Sequence, residues 1–527
     1  MRLSQIPVFS LLLALVAAAM LAPALMGAAD GDWEVARVFL YSGIGTAVFA
    51  AVMGLALAGP QYGGTARREI SILCLGWLCI PAVAAVPLWL ITPQIGLRGA
   101  IFEMVADFTT TGGTVYGDLD ALPRAVHLWR GLVGWLGGLL SLAGAYIVLA
   151  PRRLGGFEIE AATWRYSPNQ PAASVRLGAS ITPLDQRIRR AVRVILPIYA
   201  GLTALLGLLL SATGQSELDS FVHAMAVLST SGISPHRNGI AEGGSLGAEM
   251  FAAIFLVLAV TRQLYSDAAE FGSRVPLRRD PEVLTMAGLV LAVGLALFGR
   301  HWIGALTLDL TGDEIAVLDA LWGTLFTVLS FLTTTGFVSA FWDSARDWSG
   351  WANPGLILLA LAAIGGGAAT TAGGIKLIRA YALMRHGLRE VERIAQPHSI
   401  LGVGARTRSL LREGPAIVWT FMMLFIFAIL LTVLALTALG LGFIDATMAA
   451  ISAISNTGQA FDLVADRPDG FSGLTPLQRE VLAVTMIIGR IEVLAFVALF
   501  NPDAWGGSAR RRERSGKRAG KAPDSNW

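Results

Sequence analysis

Thr109-Thr110-Thr111-Gly112, Ser229-Thr230-Ser231-Gly232, Thr333-Thr334-Thr335-Gly336 and Ser455-Asn456-Thr457-Gly458 are four versions of one string. Their glycines lie 120, 104 and 122 residues apart. One hydroxyl-rich string ending in glycine is an ordinary helix terminus and says nothing. Four copies at near-even spacing are an internal repeat. Each copy follows a half-length apolar segment, at 100–108, 221–228, 321–332 and 446–454. Such segments are too short to cross a bilayer as helices but long enough for two or three turns. Asp219, Asp319 and Asp445 stand near three of the starts, with Gly99 in the fourth place. An acidic residue there suits a helix N-terminus.

Long apolar runs surround these strings. About 20 apolar residues span a bilayer core. Such runs occur at 5–28, 35–59, 70–92, 126–150, 190–213, 247–268, 283–303, 352–384, 415–442 and 478–500, ten in all. The chain of 527 residues is 54% hydrophobic and 15% charged. That is far below the roughly 25% charge of soluble domains. Disorder and a soluble multidomain architecture are excluded, and continuous runs do not fit a β-barrel. The fold expected is an all-α polytopic membrane protein of about ten helices. Four pseudo-symmetric helix–pore loop–helix units surround one pore and follow two N-terminal helices. The expected divisions are 1–62 for the leading pair, 63–160, 161–275, 276–395 and 396–505 for the units, and 506–527 for a basic tail. Arg2 and the small residues at 24–29 raise a signal peptide, but the first run is long for one and the next helix follows at once.

Charge sets the orientation. Arg67, Arg68, Arg152, Arg153, Arg165, Arg176, Arg187, Arg189, Arg190, Arg274, Arg278 and Arg279 fall on one side if the runs alternate. So do Arg385, Arg389, Arg393, Arg406, Arg408, Arg412 and the tail from Arg510 to Lys521. This side, with both termini, is expected to be cytoplasmic. The net charge of +3 adds little.

A non-helical strand at membrane depth is tolerated where it lines a path, and its carbonyls then replace the water shell of a cation. The cation-binding residues expected are Thr110, Thr111, Gly112, Thr230, Ser231, Gly232, Thr334, Thr335, Gly336, Asn456, Thr457 and Gly458. The half helices point their negative ends at the same centre. The eighth run contains Gly365-Gly366-Gly367-Ala368-Ala369-Thr370-Thr371-Ala372-Gly373-Gly374, followed by Lys376 and Arg379. Five glycines in ten residues argue for an unwound, mobile loop below the third string, at about 1 kcal/mol each against Ala in a helix. Close helix packing is the alternative. Arg490, two residues before Glu492, is a charge inside the last run and a candidate for the permeation path or for a structural pair. Arg130 is expected to snorkel. Glu103 and Asp107 either set the local potential or bond the backbone behind the filter.

Other chemistry is thin. Cys74 and Cys79 share one apolar run. His127, His223, His236, His301, His386 and His398 form no zinc motif, and the Gly-rich segment lacks a Walker ending. No catalytic set, bound cofactor or nucleic-acid surface is expected.

These residues resemble the Trk/Ktr/HKT superfamily of potassium transporters, most closely its TrkH type. The segments that carry the resemblance are 100–112, Leu128-Trp129-Arg130-Gly131-Leu132, Trp135-Leu136-Gly137-Gly138, 331–337, 371–376 and Gly489-Arg490-Ile491-Glu492. The resemblance implies four pore-loop units in one chain, a homodimer, potassium at the strings and a gate at 365–374 with Lys376 and Arg490 beside it. It also implies a bacterial inner membrane and a cytosolic nucleotide-binding regulatory ring of the TrkA type, docked on the arginine-rich loops. The second and fourth strings and the Ala368-Ala369-Thr370 stretch depart from the family pattern. Potassium uptake through a gated pore is the leading expectation. Symport with H+ or Na+, a less selective K+/Na+ transporter, and a membrane enzyme or sensor are the alternatives.

Overall fold

The computed structural model describes residues 7–57, 66–150, 184–242, 245–261, 263–265, 277–307, 314–342, 355–395, 405–464 and 470–492. Arg152, Arg153, Arg165, Arg176, Arg274, the end of the tenth run and the basic tail lie outside them. Helices α1 (Val8–Ala19) and α2 (Leu21–Ala29) together make the first leading span, and α3 (Trp33–Ala56) the second. The turn between α2 and α3 is closed by Asp32, whose carboxylate accepts from Val35 N at 3.1 Å.

Unit 1 comprises α4 (Ala66–Ile91), α5 (Gly96–Phe108) and α6 (Arg124–Gly144), and unit 2 α7 (Leu184–Ala212), α8 (Glu217–Ser229) and α9 (Leu246–Val260). Unit 3 comprises α10 (Pro281–Thr307), α11 (Glu314–Leu332), α12 (Gly355–Ile364) and α13 (Leu377–Ala395). Unit 4 comprises α14 (Ala405–Ala438), α15 (Phe443–Ser455), α16 (Gln459–Val464) and α17 (Pro476–Ile491). The helix that follows each string packs on the half helix of the next unit in turn: α6 on α8, α9 on α11, α12 on α15, and α17 back on α5. The chain therefore closes a four-membered ring.

Among the described residues, seven helical stretches are long and apolar enough to cross a bilayer: Val8–Ala29, Trp33–Ala56, Glu69–Ile91, Arg124–Leu149, Gln186–Ala212, Pro281–Gly299 and Val418–Ala438. The other three runs differ from the sequence expectation. The sixth gives a helix of 15 residues that ends at Val260. The eighth stops at Ile364, unwinds, and resumes as α13, a helix with Arg385 and Arg389 beside the exposed Met384, Leu388, Val391 and Ile394. The tenth is described only to Glu492, where φ is +66° and the helix ends. The third half helix is also longer than expected. It starts at Glu314, so Asp319 is inside it rather than at its cap. In α8 the cap is Ser216, which accepts from Asp219 N.

Lipid-facing stripes complete the picture. On α14, Trp419, Met423, Ile426, Phe427, Leu430, Leu431 and Leu434 are exposed at helical spacing. Inside, tails of lipid are as apolar as leucine, so close approach of small residues supplies the packing. Gly137 of α6 is the sharpest case: a Cβ there would lie 1.8 Å from the Phe108 carbonyl oxygen. Gly489 of α17 stands in the same relation to the Ile454 carbonyl, at 2.2 Å. Phe108 and Ile454 each immediately precede a Thr/Ser-Gly string, so both contacts seat a string against its own unit. Gly137→Ala is expected to destabilise the detergent-solubilised protein by about 1–3 kcal/mol through overpacking. Gly201→Ala, in an open helical position with nothing within 4 Å of its Cβ, is the control and should hold or raise thermal stability.

Candidate functional site

The four strings begin as helix ends. Thr111 N donates to Ala106 O, Ser231 N to Ala226 O, Thr335 N to Ser330 O and Thr457 N to Ser452 O, all between 2.8 and 3.0 Å. One residue earlier, Thr110, Thr230, Thr334 and Asn456 donate back to Asp107, Val227, Phe331 and Ala453. This pair of bonds is the Schellman motif, which turns a helix end through one left-handed residue. That residue has φ of 56°, 54°, 61° and 55° in the four strings. Glycine usually fills such a place, and a β-branched residue there is strained. Three of the four are threonine, so the packing around them over-determines the turn. In the first three strings the outer hydroxyls also meet: Thr109 with Thr111 at 2.8 Å, Ser229 with Ser231 at 3.0 Å, and Thr333 with Thr335 at 3.1 Å.

The strings then converge. A Cβ on Gly112 would lie 2.1 Å from the Ser231 carbonyl oxygen, one on Gly232 2.0 Å from that of Thr335, and one on Gly458 2.7 Å from that of Thr111. Each of these glycines thus abuts the carbonyl just before the glycine of the following unit. Gly458 N completes the circle with a 2.6 Å bond to Thr111 O. Gly112, Gly232 and Gly336 also have φ of 69°, 64° and 81°, which a side chain resists. The result is a ring of buried main-chain oxygens at the negative ends of four helices. All twelve residues singled out in the strings are brought together here.

A recurring position braces this ring. Nine residues before the glycine, Glu103 accepts from Thr114 Oγ1 at 2.9 Å and Val115 N at 2.8 Å. In the same place of unit 2, His223 contacts Ser234 Oγ at 3.0 Å, and in unit 3 Thr327 accepts from Ser339 N at 3.2 Å. Glu103 thus holds the backbone behind the string. Arg130 does not snorkel: it is buried and pairs with Glu103 at 2.8 Å. The expectation failed because Arg130 sits early in an apolar run, and its partner is 27 residues away. Asp107 lies 3.7 Å from the same guanidinium. Glu249 of α9 takes Ser339 Oγ, Ala340 N and Trp322 Nε1 between 2.6 and 2.8 Å, bracing string 3 from unit 2. Glu249 escaped the sequence reading, although one carboxylate at the start of an apolar run was the available signal.

Residues 365–376 are unwound, and they lie against the ring. Ile375 N bonds Ala363 O, Lys376 N bonds Ile364 O and Leu377 N bonds Gly366 O, so both ends of the segment are tied together. The crossing needs glycine: a Cβ on Gly365 would be 2.2 Å from Gly373 O. Gly373 N donates to Thr334 Oγ1 at 2.8 Å, and Thr371 Oγ1 to Leu228 O at 3.1 Å. A Cβ on Gly373 would meet Ser455 O at 2.1 Å, and one on Gly367 would meet Val260 O at 2.0 Å. The segment therefore touches units 2, 3 and 4 at once. Ala368 N is held by Glu282 of α10 at 2.7 Å. Lys376 Nζ donates to Ala372 O. Beyond it, a cavity is lined by Ala369, Thr370, Gly374, Lys376 and Arg490 on one side and by Leu73, Trp77 and Leu140 of unit 1 on the other. Arg490 reaches Ser141 Oγ at 2.7 Å, and its guanidinium carbon is 5.9 Å from the Trp77 ring centre. Glu492 pairs with Arg379 at 2.8 Å instead of with Arg490.

Geometry and fold together define a class: a polytopic helical membrane protein of four re-entrant repeats, whose helix ends present backbone oxygens to one centre. The family model described as TrkH, a cation transport protein, matches residues 288–505. The Trk system potassium uptake protein TrkH of Halomonas elongata is 28% identical over 507 residues, 94% of this chain and 98% of that protein. TrkI of the same organism is 29% identical over 443 residues, covering 82% of both. TrkH of Salmonella typhimurium is 27% identical over 441 residues, 83% of this chain and 86% of that one. The crystal structure of the potassium transporter TrkH from Vibrio parahaemolyticus matches in fold, with a TM-score of 0.78, 24% identity, and coverage of 95% of this chain and 99% of that one. The chain is similar along most of its length to the TrkH-type proteins of Trk potassium uptake systems.

Outside the spanning helices, His236 links two units. Its Nδ1 lies 3.0 Å from Asp120 of unit 1 and its Nε2 3.5 Å from Asp219 of unit 2. Partial burial works against its protonation, but the bond to Asp120 and the charge of Asp219 outweigh it and raise its pKa above the ordinary 6.5. A raised folded-state pKa adds stability that is fully present below pH 6.5 and is lost as pH rises through the folded value. Thermal stability should therefore fall as pH rises over that window, and His236→Gln should flatten the dependence.

Proposed function

We propose that this protein takes up potassium through a gated, channel-like pore, with the ring of string carbonyls as its selectivity filter. The observation that carries the reading is the cyclic fit of each string against the next unit, at Gly112, Gly232 and Gly458. Thr110, Thr111, Gly112, Thr230, Ser231, Gly232, Thr334, Thr335, Gly336, Asn456, Thr457 and Gly458 line it. Carbonyls so arranged replace the hydration shell of a cation, and four helix C-termini add negative potential. Anions would need donors or helix N-termini at this place. An inward potential drives entry by about 2.3 kcal/mol per 100 mV.

The segment from Gly365 to Gly374, with Lys376 and Arg490, is the gate in this reading. It lies under the strings, bonds to Thr334, and is braced by Glu282. Lys376 and Arg490 place positive charge in the cavity beyond it, where a cation would otherwise gather. The protein works in the bacterial inner membrane with both termini cytoplasmic. It acts as a homodimer under a TrkA-like nucleotide-binding subunit docked on the arginine-rich side. The units are those expected from the sequence, 1–62, 63–160, 161–275, 276–395, 396–505 and 506–527.

Growth of a potassium-uptake-deficient bacterium at low potassium should be restored by this chain. Potassium, rubidium and sodium fluxes in proteoliposomes then test the filter. Gly112→Ser should lower potassium-over-sodium selectivity at least about tenfold, equal to about 1.4 kcal/mol, or abolish flux. Normal selectivity in that variant removes the filter assignment. Deleting residues 368–372 should raise the flux measured without any regulatory subunit. Unchanged flux removes the gate.

A further inference from the structure

Directly after the fourth glycine stands Gln459, where the other strings continue with Gly113, Ile233 and Phe337. Its side chain folds back over the ring. The Nε2 amide nitrogen lies 2.7 Å from Gly232 O, 3.3 Å from Gly112 O and 3.5 Å from Ser231 O. A Cβ on Gly112 or on Gly232 would be 2.6 Å from that nitrogen, and one on Gly336 would be 2.8 Å from Oε1. The carboxamide is thus close to three of the four glycines together, and the fourth is its own chain neighbour. It lies at the centre of the ring and not at its rim. The assignment of nitrogen inward follows from chemistry, since three carbonyl oxygens can face only a donor. Oε1 is buried with no hydrogen-bond partner among the described residues.

We propose that Gln459 determines cation affinity as a tethered competitor: its carboxamide NH2 claims the carbonyl oxygens of the outermost ring level. This rests on the filter reading above. An N–H donor and a cation draw on the same lone pairs, so a cation reaches that level only when the amide leaves or turns. A turn about the last side-chain bond has a broad, roughly two-fold preference. It would replace the donor by Oε1, an acceptor now without a partner, and so convert the competitor into a ligand. Of the levels inside the glycines, Gln459 reaches Ser231 O alone, at 3.5 Å, so the inner levels keep their selectivity.

The test uses the full chain in proteoliposomes, with Gln459→Leu, which keeps the bulk without donors, and Gln459→Ser, which is too short to reach. Both should lower the external potassium KM about tenfold, equal to about 1.4 kcal/mol, with maximal flux changed less than about twofold. The potassium concentration that half-saturates thermal stabilisation in detergent should fall by the same factor, a readout that needs no flux. An unchanged or raised KM in both variants, or loss of maximal flux alone, overturns the proposal and leaves Gln459 as a structural brace. Failure of the filter reading looks different: the unsubstituted protein would fail to distinguish potassium from sodium, or Gly112→Ser would discriminate normally.

Discussion

Backbone oxygens that face one another repel, and the structure depends on holding four sets of them together at membrane depth. Water is not available there to satisfy them, so each must come from a helix end that has already used its other groups. The Schellman turns do this. They consume the last N–H groups of each half helix on its own carbonyls and leave the following carbonyls free to turn inward. The left-handed threonines are the strained part of the arrangement. They are held by groups placed behind them, Glu103 on Val115 and Glu249 on Ala340. The Arg130–Glu103 pair belongs to the same frame: with both charges buried, removing Arg130 would leave the Glu103 and Asp107 carboxylates without their cation.

Pseudo-symmetry is broken at the seam between units 4 and 1. Asn456 replaces threonine and reaches across to Thr111 Oγ1 at 3.1 Å and to Met486 O at 3.0 Å. The fourth glycine donates to Thr111 O directly, a bond that the other three do not make. The seam is also where the chain has its broken helix on one side and its arginine-lined cavity on the other. Departure from four-fold regularity is therefore concentrated in units 3 and 4, and unit 1 meets it through Ser141 and Trp77.

How much of this could be read from residues alone varies with the range of the interaction. The strings, the half helices before them and the unwound Gly-rich segment are local features, written in spacing and glycine content. Their being four in number announced the ring. Features that depend on a partner far along the chain were not legible. Arg130 looked like a snorkelling side chain because Glu103 is invisible from its own run. Glu492 stood near Arg490 in sequence but pairs with Arg379 on another helix. Asp319 looked like a cap because the apolar segment after it is a half helix, and the extra N-terminal turns that begin at Glu314 have no such pattern. The role of Gln459 was equally hidden. A polar residue after the last glycine was the only signal, and its meaning appears once three other segments are placed around it. The loop is unwound as its glycines demand, and it is buried and bonded at both ends.

Because Gly365 and Gly373 cross within contact distance, the ten residues between Ile364 and Ile375 form a closed knot of backbone with a narrow neck. A shape of this kind does not fray from one end. Displacing it means turning the whole lobe about its neck, while the bonds inside it persist. Among the described residues its hydrogen bonds to the rest of the protein run to Leu228, Thr334 and Glu282, and it also packs tightly on Val260 and Ser455. Because the neck joins α12 to the start of α13, a pull on α13 reaches the lobe through that neck.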